Sequence, residues 1–203
     1  MAIRINKNIT FIHVGKNAGT SITRTIKENL ETEYSGKTHD SWKDIPVEWQ
    51  DRGVAVIRNS YNRAVSWYLF GKRKTLRYLG FTRNTVERQE QLKQEIERYN
   101  RGFEWWLVNH PSPTDLLQKS YLPQNLKLIR LLVYENIHKE WAELCREEGW
   151  PDLILSEHNR NPDTQISYDQ YHTKQTREWI ETHLSADIEL HEKLLTHLPQ
   201  DRQ

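Results

Sequence analysis

The run from Ile9 to Ser21, ITFIHVGKNAGTS, constrains this chain more than any other. Ile9 to Val14 is short and β-rich, a loop of small residues follows, and Ile22, Ile26 and Leu30 then recur at helical spacing. Strand, loop and helix in direct succession turn several backbone N–H groups toward one point, where the helix dipole adds its positive end. That combination suits an anion. Gly19 lets the backbone approach an oxygen closely, Thr20 and Ser21 bring hydroxyl donors, and Lys16 brings a mobile positive charge. A bare Gly-Lys pair fits an ordinary strand-to-helix turn with a solvated lysine equally well, and the full strand-loop-helix context shifts the balance toward phosphate.

Further elements follow at regular intervals. Gly53 to Ile57 (GVAVI) reads as a second buried strand ending in Arg58, after which Asn59 or Ser60 caps a helix carrying Ala64, Val65, Tyr68 and Leu69. Gly71 to Arg83 is basic and loop-like, with Lys72, Arg73, Lys74, Arg77 and Arg83 and no acid. Asn84 to Asn100 predicts a charged surface helix with a thin stripe of Val86, Leu92, Ile96 and Tyr99. Phe103 to Val108 predicts a short helix, stopped by the loop of Pro111 and Pro113. Leu126 to Tyr134 is a third buried strand, and Ile137, Trp141, Leu144 and Cys145 mark a helix ended by Gly149 and Pro151. After the polar stretch Ser156 to Ser167, two helices close the chain, one with Trp179, Ile180 and Leu184, the next capped by Ser185. Strands alternating with helices predict an α/β fold: a single domain over residues 1–203, with a central parallel sheet flanked by helices.

Composition narrows the function classes. With 29 basic and 28 acidic residues among 203, there is no global field to draw nucleic acid or a membrane surface, and neither is expected as a partner. Eight Trp and nine Tyr argue against disorder. A lone cysteine, Cys145, suits a reducing compartment. No run is apolar enough to span a bilayer, and the first residues lack the pattern of a secretory signal, so a cytoplasmic location is expected. The nine histidines form no HExxH pair, and no metal site is expected. Oligomeric state is not specified.

A Walker A loop places lysine directly after its second glycine. Here Lys16 precedes Gly19, Thr20 stands where lysine would be, and no aspartate closes the GVAVI strand to hold magnesium. The run IHVGKNAGTSI instead resembles the 5′-phosphosulfate loop of sulfotransferases that use PAPS (3′-phosphoadenosine 5′-phosphosulfate), above all the carbohydrate and heparan-sulfate branch, which typically reads HVPKTAGTS. It departs at Gly15, where proline is usual, and at Asn17, where threonine or serine is usual. Val54 to Tyr68, VAVIRNSYNRAVSWY, is similar to that family's 3′-phosphate motif, FVRNPYDRLVSLY, with Ser60 in place of proline. Weaker likeness extends to LLVYENIHKEWAELC and to the C-terminal portion.

The resemblance implies a sulfotransferase that moves a sulfuryl group from PAPS to an acceptor hydroxyl and releases PAP. It assigns Gly15, Lys16, Asn17, Ala18, Gly19, Thr20 and Ser21 to the 5′ side of the donor, and Arg58 and Ser66 to its 3′-phosphate. A guanidinium fork and a hydroxyl suit one phosphate. Arg63 matches the pattern too and is weighed first as a structural ion-pair residue; Asn159 and Arg160 are candidates to close over the nucleotide, with a polar surface loop as the alternative. Lys16 is also expected to be catalytic, neutralising the bridging oxygen as the S–O bond breaks. The candidate base is His39, with Asp40 and Glu104 as alternatives. His13 is expected to pack against its neighbours. The basic run and the pair Trp105–Trp106 suggest an anionic saccharide among the candidate acceptors, against a solvated loop and a core role for at least one tryptophan. Two rivals stand beside this reading: a P-loop-like small-molecule kinase needing Mg²⁺ and ATP, and a module that holds PAP without turnover.

Overall fold

Strand β4 (Gly53–Ile57) is buried along its whole length, and its alternation shows why. Val54 and Val56 enter one apolar cluster, Ala55 and Ile57 another, so both faces of the strand are covered. The computed structural model describes residues 2–36, 40–81, 85–156 and 167–196. Around β4 runs a five-stranded sheet made with β1 (Ala2–Ile5), β2 (Ile9–Ile12), β3 (Thr32–Ser35) and β5 (Ile129–Val133), in the order β3-β1-β2-β4-β5. The strands expected at Ile9, Gly53 and Leu126 correspond to β2, β4 and β5, and these three pair in parallel.

The expectation of a wholly parallel sheet is corrected by β1 and β3, which run antiparallel to their neighbours and make the sheet mixed. Neither carries a strong signal of its own. β1 is four residues interrupted by Arg4, and β3 is the largely exposed edge segment TEYS. The β1–β2 connection is a tight hairpin in which Asn6 and Lys7 both take left-handed φ, 47° and 55°, as a turn matched to strand twist requires.

The chain sorts into two compact units. One comprises Met1–Asn59, Leu117–Thr164 and Ala186–Gln203 and holds the sheet. Helices α1 (Gly19–Asn29) and α5 (Ile137–Glu147) close one face, where Ile22, Ile26, Trp141 and Leu144 meet Ile3, Ile9, Phe11 and Val54. Trp141 is fully buried, and its indole N–H donates to the Leu153 carbonyl at 2.9 Å. Trp42, Ile45, Leu122 and Leu190, the last from α7 (Ser185–Thr196), cover the other face. Cys145 is buried in the cluster of Trp141 and Leu144, where burial pushes its thiol pKa up.

The other unit, Ser60–Leu116 with Gln165–Ser185, is helical. It contains α2 (Ser60–Leu79), α3 (Val86–Asn100), α4 (Phe103–Val108) and α6 (Lys174–His183). The loop expected at Gly71–Arg83 is corrected as far as Leu79: helix α2 runs straight through the basic residues. The segment has no proline, and lysine, arginine and leucine favour helix. Gly71 lets the Tyr99 ring of α3 lie against α2, and Thr75 hydrogen-bonds Glu95 at 3.1 Å. Tyr68, Tyr99, Phe103, Trp106 and Tyr171 make an aromatic core. Phe103 and Leu107 are the buried residues of α4, while Trp105 and Trp106 are half-buried. Arg63, 2 % exposed, donates to the Leu116 carbonyl.

Candidate functional site

The β2–α1 junction carries the geometry that matters. After Ile12 the chain turns through Gly15 to Ala18 and enters α1 at Gly19. Lys16 and Ala18 both take left-handed φ, 69° and 59°, with Asn17 between them on the ordinary side. Left-handed backbone costs roughly 1–2 kcal/mol for each non-glycine residue. Such strain persists only where the surroundings over-determine it. Alternation of right- and left-handed residues is the backbone pattern that can turn successive N–H groups toward one point. Ala18, at the N-cap, makes no side-chain capping hydrogen bond, and the first turn of α1 contains no acidic residue.

What holds the loop is Asn17, 1 % exposed. Its Nδ2 donates to the Val56 carbonyl and to Gln118 Oε1, both at 2.6 Å. The Asn17 side chain thus anchors the turn to β4. Gly19 is required by contact: a Cβ there would fall 2.1 Å from His13 Cδ2. His13 thus packs against its neighbours, with its ring also 6.2 Å from that of Phe11. Thr20 is exposed and Ser21 buried, while Lys16 is half-buried.

Arg58 follows the last residue of β4. It is 8 % exposed, its Nη1 donates to the Lys16 carbonyl at 3.0 Å, and its guanidinium lies 4.1 Å from the centroid of the Tyr134 ring. The two segments singled out in the sequence thus meet through this hydrogen bond, whose partners are 42 residues apart. Next to it, the Asn59 amide donates to Glu135 at 3.0 Å, and Glu135 also pairs with His191 of α7 at 3.0 Å. Burial works to raise the Glu135 pKa, but the His191 and Asn59 hydrogen bonds outweigh it and hold the carboxyl below its usual range.

Ser66 is half-buried on α2, in the helical unit. His39, Arg83, Asn159 and Arg160 lie outside the described residues. Asp40 accepts a long hydrogen bond from Ser35 at 3.5 Å, and Glu104 accepts one from the Thr173 hydroxyl. Among the described residues, no three or more His, Cys, Asp or Glu gather as a metal site, and no helix is long and apolar enough to cross a membrane. Sequence reasoning missed Gln118, Tyr134 and Asp187. Tyr134 had a weak signal, an aromatic closing the third strand; Gln118 and Asp187 had none, because their partners are distant in sequence.

Compared with protein-family models, curated proteins and solved structures, the chain matches none.

Proposed function

We propose that this protein is a sulfotransferase that transfers the sulfuryl group of PAPS to an acceptor hydroxyl. The observation that carries the reading is the Arg58–Lys16 hydrogen bond, since it joins the two segments that resemble the family's phosphosulfate and 3′-phosphate motifs. A nucleotide bearing a phosphosulfate at one end of the ribose and a phosphate at the other needs two cationic sites at close range. The turn of Gly15 to Ala18 with the first residues of α1 supplies one, and Arg58 is the candidate for the other. The role of Ser66 rests on the sequence resemblance.

In the proposed reaction the acceptor oxygen attacks sulfur, the S–O bond to the 5′-phosphate breaks, and PAP leaves carrying the extra negative charge. Lys16 and the loop amides stabilise that charge. The acceptor proton passes to a base, for which His39 is the candidate. An anionic saccharide remains a candidate acceptor, on the strength of the basic residues Lys72, Arg73, Lys74 and Arg77 of α2.

The test is transfer of labelled sulfuryl from PAPS to a panel of saccharides, phenols, peptides and lipids in excess EDTA. Labelled product is the expected result. No transfer in EDTA, with phosphoryl transfer from ATP on adding Mg²⁺, would replace this reading with the kinase. Tight PAP binding without turnover on any acceptor would favour the binding module.

A further inference from the structure

The residue that brings the loop and Arg58 together is closed off from solvent. Gln118 is fully buried, and its carboxamide makes three hydrogen bonds. Oε1 accepts from Asn17 Nδ2 at 2.6 Å and from the Arg58 amide at 2.9 Å, while Nε2 donates to the Arg58 carbonyl at 2.7 Å. The pairing of β4 with β2 ends at Ala55, and with β5 at Ile57. Beyond that, the Val56 carbonyl is taken by Asn17, and both backbone groups of Arg58 are taken by Gln118. Two side-chain amides thus do the work of a neighbouring strand where none continues. Gln118 is itself held from behind: its own amide donates to Asp187 Oδ2 at 2.6 Å and that of Lys119 to Asp187 Oδ1 at 2.8 Å, with Asp187 fully buried.

We infer that Gln118 is a positioning residue which sets the spacing between the anion-binding loop and Arg58, and so selects nucleotides that carry phosphate on both the 3′ and the 5′ side. The inference rests on the nucleotide reading proposed above. An apolar residue would fill the same volume, so packing does not explain the carboxamide. Its removal deletes the hydrogen bonds that the Arg58 N–H and C=O make to it, and the local backbone shifts in response. A ligand bearing two anionic groups gains its second contact as an intramolecular event, whose effective concentration collapses when the two sites no longer match its span. A mononucleotide engages one site and does not depend on the spacing.

Calorimetry with PAP and with 5′-AMP separates these effects. Wild-type protein should prefer PAP; equal affinity for both overturns the nucleotide reading itself, and the inference with it. In Gln118→Leu the preference should shrink by roughly tenfold or more, PAP losing far more affinity than 5′-AMP. A folded Gln118→Leu that keeps the full preference overturns the inference alone. Gln118→Glu supplies the arm that does not depend on the leucine variant folding. As a carboxylate it turns an acceptor toward the Arg58 carbonyl; protonated, it donates there as the amide did, and burial raises the pH at which it protonates. Its PAP preference, taken relative to wild type at each pH, should recover between about pH 8 and about pH 5. A ratio that stays at the wild-type value throughout, or stays depressed at both ends, contradicts the inferred role.

Discussion

Arg58 shows how much one side chain is asked to do at this site. Its guanidinium lies over the Tyr134 ring and donates to the Lys16 carbonyl, so the cation is oriented before any ligand arrives. Arg58→Ala should weaken PAP binding by about 2–3 kcal/mol, the value of a charge-assisted contact, and should bring PAP close to AMP in affinity. Calorimetry on the two nucleotides checks it; an unchanged preference removes Arg58 from the 3′-phosphate. Lys16 answers to a different measurement. Lys16→Ala should lose most sulfuryl transfer, and Lys16→Arg should also be impaired, because a planar fork does not occupy the position of a point charge. Normal turnover in Lys16→Arg would contradict the role given to the ammonium. Gly19 is testable without any ligand. In Gly19→Ala the new Cβ meets the His13 imidazole, and stability should drop by about 1–3 kcal/mol. The double variant with His13→Ala should recover part of it, a coupling that urea denaturation of the four proteins measures.

Among the elements, β2 and β4 were legible and β1 and β3 were not, and the difference is burial. Ile9–Ile12 and Gly53–Ile57 are buried along their whole length, so each reads as a short apolar run, broken in β2 only by the small polar Thr10. β1 contains Arg4, which is buried yet satisfied by Asp51 at 2.6 Å and Thr10 at 3.0 Å, a pairing that local patterning does not reveal. The Arg4 hydrogen bond holds the Asp51 carboxyl below its usual range. Helix α2 is the converse case: its basic half looked like a loop, and packing along α3 carries it to Leu79. Gly71 sits at that contact. Alanine there gains roughly 1 kcal/mol of helix propensity but places a Cβ 2.1 Å from the Tyr99 hydroxyl oxygen, in a ring already packed on Tyr68 and Trp106. Overpacking of this kind costs about 1–3 kcal/mol, so Gly71→Ala should lower the melting temperature. A higher one would mean that Tyr99 swings aside freely.

For the whole molecule, acid is the informative stress. In the helical unit, His172 meets Tyr61 and Phe103 edge-to-face, and neither ring nitrogen finds a hydrogen-bond partner among the described residues. Burial and the nearby Arg177 cation push its pKa down, Asp169 opposing them in part; burial lowers that of His110 as well. Both folded-state values therefore lie below the ordinary 6.5. Between the folded and unfolded values the unfolded chain binds more protons, so stability rises with pH there. The contribution is fully present above the unfolded pKa and is lost as pH falls through the folded one. Melting temperature should decline from pH 7 toward about pH 5, before Asp51 and Glu135 begin to protonate, and His172→Phe should flatten the decline. Identical pH profiles for the variant and the wild type would show that His172 is not the group responsible.

What the sequence determined by itself was local: the strand-loop-helix at Lys16, the strand ending at Arg58, the apolar runs of β2, β4 and β5, and hence the α/β class. These features arise from neighbours within a few residues, where periodicity, small residues and helix ends act directly. The tertiary structure decided the rest. It made the sheet mixed, carried α2 through its basic residues, turned Asn17 inward to grip β4, and recruited Gln118 and Asp187 across gaps of 101 and 69 residues. Those outcomes depend on which buried polar groups find partners once the chain has closed, and a glutamine in an unremarkable stretch gives no sign of it until Arg58 stands beside it.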